Sequence, residues 1–140
     1  MVQSTEKQRH SNDAGKLLLR LTLGGLLLFH GIAKLDRGID SIANGLINVG
    51  LPGAIAYLVY VGEVVAPILL IVGLLTRPAA LVVVINMLVA IAFAHASQLL
   101  SISRSGGYGL ELQAFYLLTA GVVALIGAGR YSMGGKGRWN

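Results

Sequence analysis

Residues 54–75 read AIAYLVYVGEVVAPILLIVGLL, and this stretch decides the fold class. At about 1.5 Å per residue it is long enough, as a helix, to cross a hydrocarbon core of about 30 Å. Its one charged residue is Glu63, near the middle. A carboxyl group at that depth is costly unless it faces the interior of a helix bundle and finds a partner, so Glu63 marks a candidate functional site.

The composition agrees with a membrane protein. Of 140 residues, 55% are hydrophobic and 12% are charged, and the mean hydropathy is +0.74. The net charge of +5 comes from basic residues at the ends of apolar segments, where they set membrane orientation, so we exclude nucleic-acid binding. The chain has no cysteine, which excludes thiol–disulfide exchange and thiolate-ligated clusters and leaves any redox role to a bound cofactor or a partner.

The hydropathy pattern predicts an all-α membrane protein, a bundle of four transmembrane helices with antiparallel neighbours. The expected spans are residues 16–33, 54–75, 79–99 and 110–128, within a transmembrane domain of residues 16–129. Polar residues 1–15 are predicted to be a disordered cytoplasmic tail, and residues 130–140 a basic, flexible one. Residues 35–53 alternate apolar and polar side chains, which predicts a short amphipathic helix between the first two spans.

Two prolines shape the second span. Pro67 follows Glu63 by four residues and has no N–H to donate to the Glu63 carbonyl, so a kink is expected beside the acid. Thr76-Arg77-Pro78 ends the span, and the connection is so short that the second and third helices should be antiparallel neighbours.

The basic residues predict the orientation. With four spans, both termini lie on one side, which carries seven Lys and Arg residues against three on the other. The positive-inside rule then places both termini in the cytoplasm. The seven are Lys7, Arg9, Lys16, Arg77, Arg130, Lys136 and Arg138; the three are Lys34, Arg37 and Arg104.

Helix rise gives the depth of the polar side chains, measured from the cytoplasmic face. Arg20 lies about 6 Å deep, Asn86 about 10, Glu63 about 16, His30 about 21 and His95 about 24. Lys34 and Glu111 lie above them, so a polar column is expected in the outer half of the bundle. Arg20 either snorkels to the interface or has a buried partner.

Four roles are open for this column. It can be a structural network that fixes helix packing. It can bind a quinone head group, with His30 or His95 as hydrogen-bond donor and Glu63 handling protons. A metal site on His30, His95 and an acid lacks any HxxxH spacing, and two single histidines are poor evidence for a b-type haem, so haem and metal are disfavoured.

Several motifs resemble the DoxX family of small membrane proteins over nearly all of residues 17–133. They are Arg20…His30-Gly31-x-x-Lys34-Leu35, Leu51-Pro52-Gly53, Gly62-Glu63…Gly73-Leu74-Leu75-Thr76-Arg77-Pro78, His95, Glu111, and Gly127-Ala128-Gly129-Arg130-Tyr131-Ser132. Where the family often continues with Leu-Asp, this chain has Met133 and Gly134, so a role for a terminal Asp is absent.

The resemblance implies a four-helix protein of a bacterial or archaeal inner membrane. Some relatives are subunits of a thiosulfate:quinone oxidoreductase, and others act with redox enzymes in oxidative-stress defence. The resulting hypothesis is a membrane component of a quinone-linked redox system, with Glu63 as the catalytic residue. Its partners are the bilayer, a redox enzyme and, as an open alternative, a second copy of the chain. A scaffold protein or a conduit for protons or small solutes is the alternative. The ligand-binding candidates are Arg20, His30, Lys34, Asn86, His95 and Glu111.

Overall fold

The computed structural model describes residues 2–94, 98–103, 106–135 and 137–140, and this part of the chain is helical. No strand occurs within these ranges, apart from one isolated bridge between Ile102 and Tyr108. The five helices are α1 (Val2–Arg37), α2 (Asp40–Asn48), α3 (Gly53–Val72), α4 (Thr76–Ala94) and α5 (Glu111–Ile126).

Within the described residues, three helices are long and apolar enough to cross a membrane: Gln8–Arg37 within α1, Gly53–Val72, and Thr76–Phe93 within α4. α5 is apolar but has 16 residues, or about 24 Å of helix. The prediction of an all-helical membrane protein is therefore confirmed, with α2 as the short helix expected between the first two spans.

Small residues bring the helices close together in the core. Ala80 and Val83 of α4 and Ala120 and Val123 of α5 are fully buried beside Leu70 of α3. Without a water-driven force between helices in lipid, such close packing is what holds a membrane bundle together. Many other large apolar side chains point outward, as lipid contact requires; Phe29, Leu118 and Leu125 are each more than two-thirds exposed.

The N-terminal segment differs from the expected disordered tail, because α1 begins at Val2 and not near Lys16. No proline or glycine precedes Gly15, so nothing in the polar residues stops a helix. Helix nucleation, the unfavourable step, takes place in the membrane span, so the polar residues before it only extend an existing helix. Asp13 also accepts a hydrogen bond from the Arg130 backbone N–H (3.2 Å), which ties this extension to the C-terminal segment.

The C-terminal segment was expected to be flexible, but its described residues fold back over helix ends. The N–H groups of Met133 and Gly134 donate to the carbonyls of Val72 (3.1 Å) and Gly73 (2.9 Å) at the end of α3. The Trp139 carbonyl accepts from the Arg77 N–H at the start of α4 (3.1 Å). Helix ends leave such groups without intrahelical partners, and the backbone of the segment supplies them.

Arg20 joins this segment to the bundle. Its side chain is fully buried, and its Nη1 donates to the Leu70 carbonyl (2.8 Å) while Nη2 donates to the Tyr131 carbonyl. Of the two readings that the sequence left open, the structure shows the buried one. The hydrogen-bond partners of Arg20 are backbone carbonyls and not a carboxylate, and Arg20 does not line the pocket at Glu63.

Candidate functional site

The centre of the site is an ion pair between α1 and α3. Glu63 is 3% exposed, and the Nζ of Lys34 donates to both of its carboxylate oxygens. The side chain of Lys34 is 31% exposed. A carboxylate deep in a membrane protein needs such a partner, because burying an unpaired charged group costs on the order of several kcal/mol.

Asn86 of α4 completes the group around Glu63. Its Nδ2 donates to Glu63 Oε1 at 3.3 Å. A Cβ atom added to Gly62 would lie only 2.5 Å from the Asn86 Cγ, so glycine at position 62 lets the amide reach the carboxylate. The Tyr60 hydroxyl donates to the Lys34 carbonyl at 3.2 Å, which gives α1 and α3 a second link. Three helices thus meet at one carboxyl group.

An irregular turn in α3 presents Glu63. Residues 61–65 form a π-helical turn, and regular α-helix resumes at Ala66 beside Pro67. Since Pro67 has no N–H, the Glu63 carbonyl lacks its usual α-helical donor, and a single π turn is a known way to accommodate this. The sequence predicted a kink beside Glu63, and the structure has a π-helical turn at this place.

Gly31 brings α1 against this turn. A Cβ atom at Gly31 would overlap the Glu63 carbonyl oxygen, so only glycine permits the observed approach. Lys34 follows Gly31 by three residues and therefore lies on the same helix face. The close contact at Gly31 places the Lys34 ammonium opposite the Glu63 carboxylate.

A pocket of about 660 Å³ opens beside the ion pair. Lys34, Ser41, Glu63 and Asn86 are the polar members of its lining, and the other fourteen residues are apolar or glycine. α4 contributes one face through Val82, Ile85, Asn86, Val89 and Phe93, at helical spacing. A small group of polar side chains in a largely apolar cavity is the usual form of a small-molecule site.

The structure places some of the candidate residues predicted from the sequence in the pocket and others outside it. It brings Lys34, Glu63 and Asn86 together. His30 is exposed, does not line the pocket, and contacts Tyr116 edge-on with ring centroids 5.8 Å apart. Glu111 is exposed at the start of α5, and His95 lies outside the described residues. The structure therefore does not place His30 in the pocket beside Glu63, because depth fixes height along a helix but not the direction of a side chain.

Sequence reasoning missed two features of the site. It did not single out Tyr60, whose hydroxyl is one of five tyrosine hydroxyls in the chain and has no distinguishing local pattern. It also did not assign the roles of Gly31 and Gly62, although each stands next to a polar candidate, His30 or Glu63. Among the described residues, no three His, Asp or Glu side chains lie close enough to hold a metal ion, so the donors here are an ammonium, a carboxylate and an amide.

The comparisons with known proteins locate the site in a family. No curated protein and no solved structure matches the chain. The DoxX family model matches residues 15–96, which include Gly31, Lys34, Glu63 and Asn86 and the three candidate spans from Gly15 onward. Because this match covers more than half of the sequence, the chain belongs to the DoxX family and is a multi-pass membrane protein.

Proposed function

We propose that this protein is a membrane-embedded component of a quinone-linked redox system and binds a quinone head group beside Lys34, Glu63 and Asn86. The observation that carries the proposal is the pocket of about 660 Å³, in which these polar groups stand within an otherwise apolar lining. A quinone also combines a polar and an apolar part, because its ring carries two polar carbonyls and its isoprenoid tail is apolar. The pocket size lies within the usual range for small-molecule sites, about 300–1,000 Å³.

The polar groups match the chemistry of a quinone ring. Quinone carbonyls accept hydrogen bonds, and both Lys34 Nζ and Asn86 Nδ2 are donors that line the pocket. Reduction of a quinone to a quinol takes two electrons and two protons. In the proposal a partner oxidoreductase, with its own flavin or metal centre, supplies the electrons. Glu63 then relays protons through its hydrogen bonds with Lys34, the role of a positioned general acid and base.

A structural role is the second candidate, and a specific observation favours it. The carboxylate of Glu63 binds side chains of α1 and α4, so the same network can simply fix the packing of three helices. The two functions predict different effects of replacing Glu63 by a residue that keeps hydrogen bonding but cannot take up a proton. A packing role tolerates Glu63→Gln, whereas proton relay does not.

Quinone binding is expected to depend on each of the three pocket side chains. Lys34→Met should weaken binding of decylubiquinone to the purified protein about tenfold or more, since a hydrogen bond to a charged group corresponds to roughly 1.5–3 kcal/mol. Asn86→Leu should weaken it about threefold or more, since a neutral hydrogen bond corresponds to roughly 0.5–1.5 kcal/mol. Glu63→Gln should also weaken it, because the Glu63 carboxylate holds the Lys34 and Asn86 donors in place. Binding would be measured by equilibrium dialysis in detergent, with quinone quantified by its absorbance. Glu111→Gln is the matched control, because it removes an exposed carboxylate outside the pocket and should leave binding unchanged.

Two outcomes would contradict the quinone proposal. One is a wild-type protein that binds decylubiquinone no better than empty detergent micelles do. The other is equal loss in the Glu111→Gln control and the three pocket variants. Normal assembly and normal partner activity of Glu63→Gln would instead favour the scaffold function.

The proposal includes four spans with antiparallel neighbours and cytoplasmic termini. Two observations support it: Arg77, at the start of α4, donates to the Ala124 carbonyl near the end of α5 (3.2 Å), and α5 exposes large apolar residues such as Phe115 and Leu118. Tail residues 127–130 would complete the short crossing of α5, and local thinning of the bilayer would cover the remaining mismatch.

Cysteine labelling tests this orientation, because the chain has no native cysteine. Leu100→Cys and Met133→Cys replace side chains that are 99% and 81% exposed. In intact cells, an impermeant maleimide should label Leu100→Cys and should label Met133→Cys only after permeabilisation. The reverse pattern would invert the orientation, and labelling of both in intact cells would remove the fourth span.

A further inference from the structure

A second cavity, of about 1730 Å³, lies at the other end of the bundle from the Glu63 pocket. Its walls are the first turns of α1, the start of α4, the end of α5 and the C-terminal segment. Nothing in the quinone proposal uses this cavity. It is larger than the usual small-molecule site of about 300–1,000 Å³.

The cavity carries uncompensated positive charge. The described residues of its lining include two acids, Glu6 and Asp13, against five basic residues: Arg9, Lys16, Arg77, Arg130 and Arg138. In the described part of the chain, the one side-chain ion pair is Lys34–Glu63, so none of these five cations is paired with an Asp or Glu side chain. Arg77 donates to the backbone oxygens of Ala124 (3.2 Å) and Asn140 (3.4 Å). Five cations without an acidic side-chain partner around one concave surface attract an anion.

The same cavity continues onto an apolar groove between α4 and α5. Leu81 and Leu125 form exposed walls, at 53% and 78% exposure. Gly121 lines the same cavity, and a Cβ atom there would meet nothing within 4 Å, so the space beside it is open. A small soluble anion has no apolar part to bury in this groove, whereas the acyl chain of a lipid can lie along it.

A tryptophan on the rim indicates that this cavity lies at the level of lipid head groups. Trp139 is 59% exposed on its rim, and the Arg138 guanidinium lies 5.7 Å from the centroid of the Trp139 ring. Tryptophan and basic residues together are typical of the membrane–water interface.

We propose that this cavity binds an anionic phospholipid, with its phosphate among the arginines and one acyl chain along the Leu81–Gly121–Leu125 groove. The lipid comes from the leaflet next to the first turns of α1. Basic pockets between membrane helices bind anionic head groups by the same combination of charge and shape. The bound lipid would hold the N-terminal part of α1 against the C-terminal segment, since both supply cations to the site.

Native mass spectrometry of the purified protein tests the proposal with two lipids of equal chain length, dioleoylphosphatidylglycerol and dioleoylphosphatidylcholine. The wild type should retain about one phosphatidylglycerol and prefer it at least tenfold. Removing Arg9, Arg130 and Arg138 by substitution with Gln should weaken retention by about fivefold for each arginine. Gly121→Leu fills the groove without touching a cation and should also weaken retention several-fold. It keeps the test decisive if the triple variant does not fold.

The matched control is Arg37→Gln, which removes an exposed cation that does not line the cavity and should leave retention unchanged. Inorganic phosphate at 10 mM should not displace phosphatidylglycerol from the wild type. Equal retention of the two lipids, equal loss in Arg37→Gln and in the triple variant, or displacement by inorganic phosphate would each overturn the proposal; the last would indicate a site for a soluble phosphate.

Discussion

Lys34→Met is expected to lower the free energy of unfolding by about 3 kcal/mol, the lower end of the cost of breaking a buried ion pair, because Lys34 is partly exposed. The variant keeps an apolar side chain of similar length but leaves the buried Glu63 carboxylate without its cation. Only the weaker hydrogen bond from Asn86 remains. Thermal unfolding in detergent, followed by far-ultraviolet circular dichroism, would measure the loss.

The double variant Lys34→Met/Glu63→Leu separates stability from function. Replacing both partners of a buried pair by apolar side chains removes the unpaired charge, so most of the lost stability should return. Quinone binding should stay lost, because the pocket then has no ion pair. If the double variant is no more stable than Lys34→Met, the ion pair is not the reason for the loss.

Gly31→Ala is expected to lower the free energy of unfolding by about 2 kcal/mol or more, the typical cost of overpacking a tightly packed core. The added methyl group would collide with the backbone at Glu63, where its Cβ would lie 2.7 Å from the carbonyl carbon. α1 and α3 must then separate, which lengthens the Lys34–Glu63 contact. The variant should therefore lose quinone binding as well as stability.

Gly25→Ala is the matched control for this prediction. It adds the same methyl group to the same helix, at a site where the new Cβ would meet nothing within 4 Å. Alanine is the better helix former, so stability should be unchanged or higher by up to about 1 kcal/mol. Equal destabilisation of both variants would show that the Gly31 contact is not the critical one.

The sequence was sufficient to predict the apolar helices and the burial of Glu63. Length and hydropathy identify the spans, and one carboxyl group inside an apolar run can persist only beside a partner. The boundaries near Pro78 and Gly53 were also readable, since these residues limit where a helix can start or end. The presence of Lys34 and Asn86 among the candidates followed from their depth in the bundle.

The partner of Glu63 could not be chosen from the sequence. His30 and Lys34 are four residues apart and lie on about the same face of α1, so only the packing of α1 against α3 and α5 decides that Lys34 meets Glu63 while His30 contacts Tyr116. That packing depends on the Gly31 contact, a long-range feature with no local signal. The folding back of the C-terminal segment was equally hidden, because it depends on backbone groups at distant helix ends.

Photoaffinity labelling with an azidoquinone is the most direct test of the central claim, that the quinone ring sits beside Lys34, Glu63 and Asn86. The protein would be irradiated with the probe in detergent, digested, and the labelled residues identified by mass spectrometry. Adducts are predicted on pocket residues 58–63 and 82–89, and excess decylubiquinone should suppress them. Adducts concentrated instead around His30, or adducts that decylubiquinone does not suppress, would contradict the account.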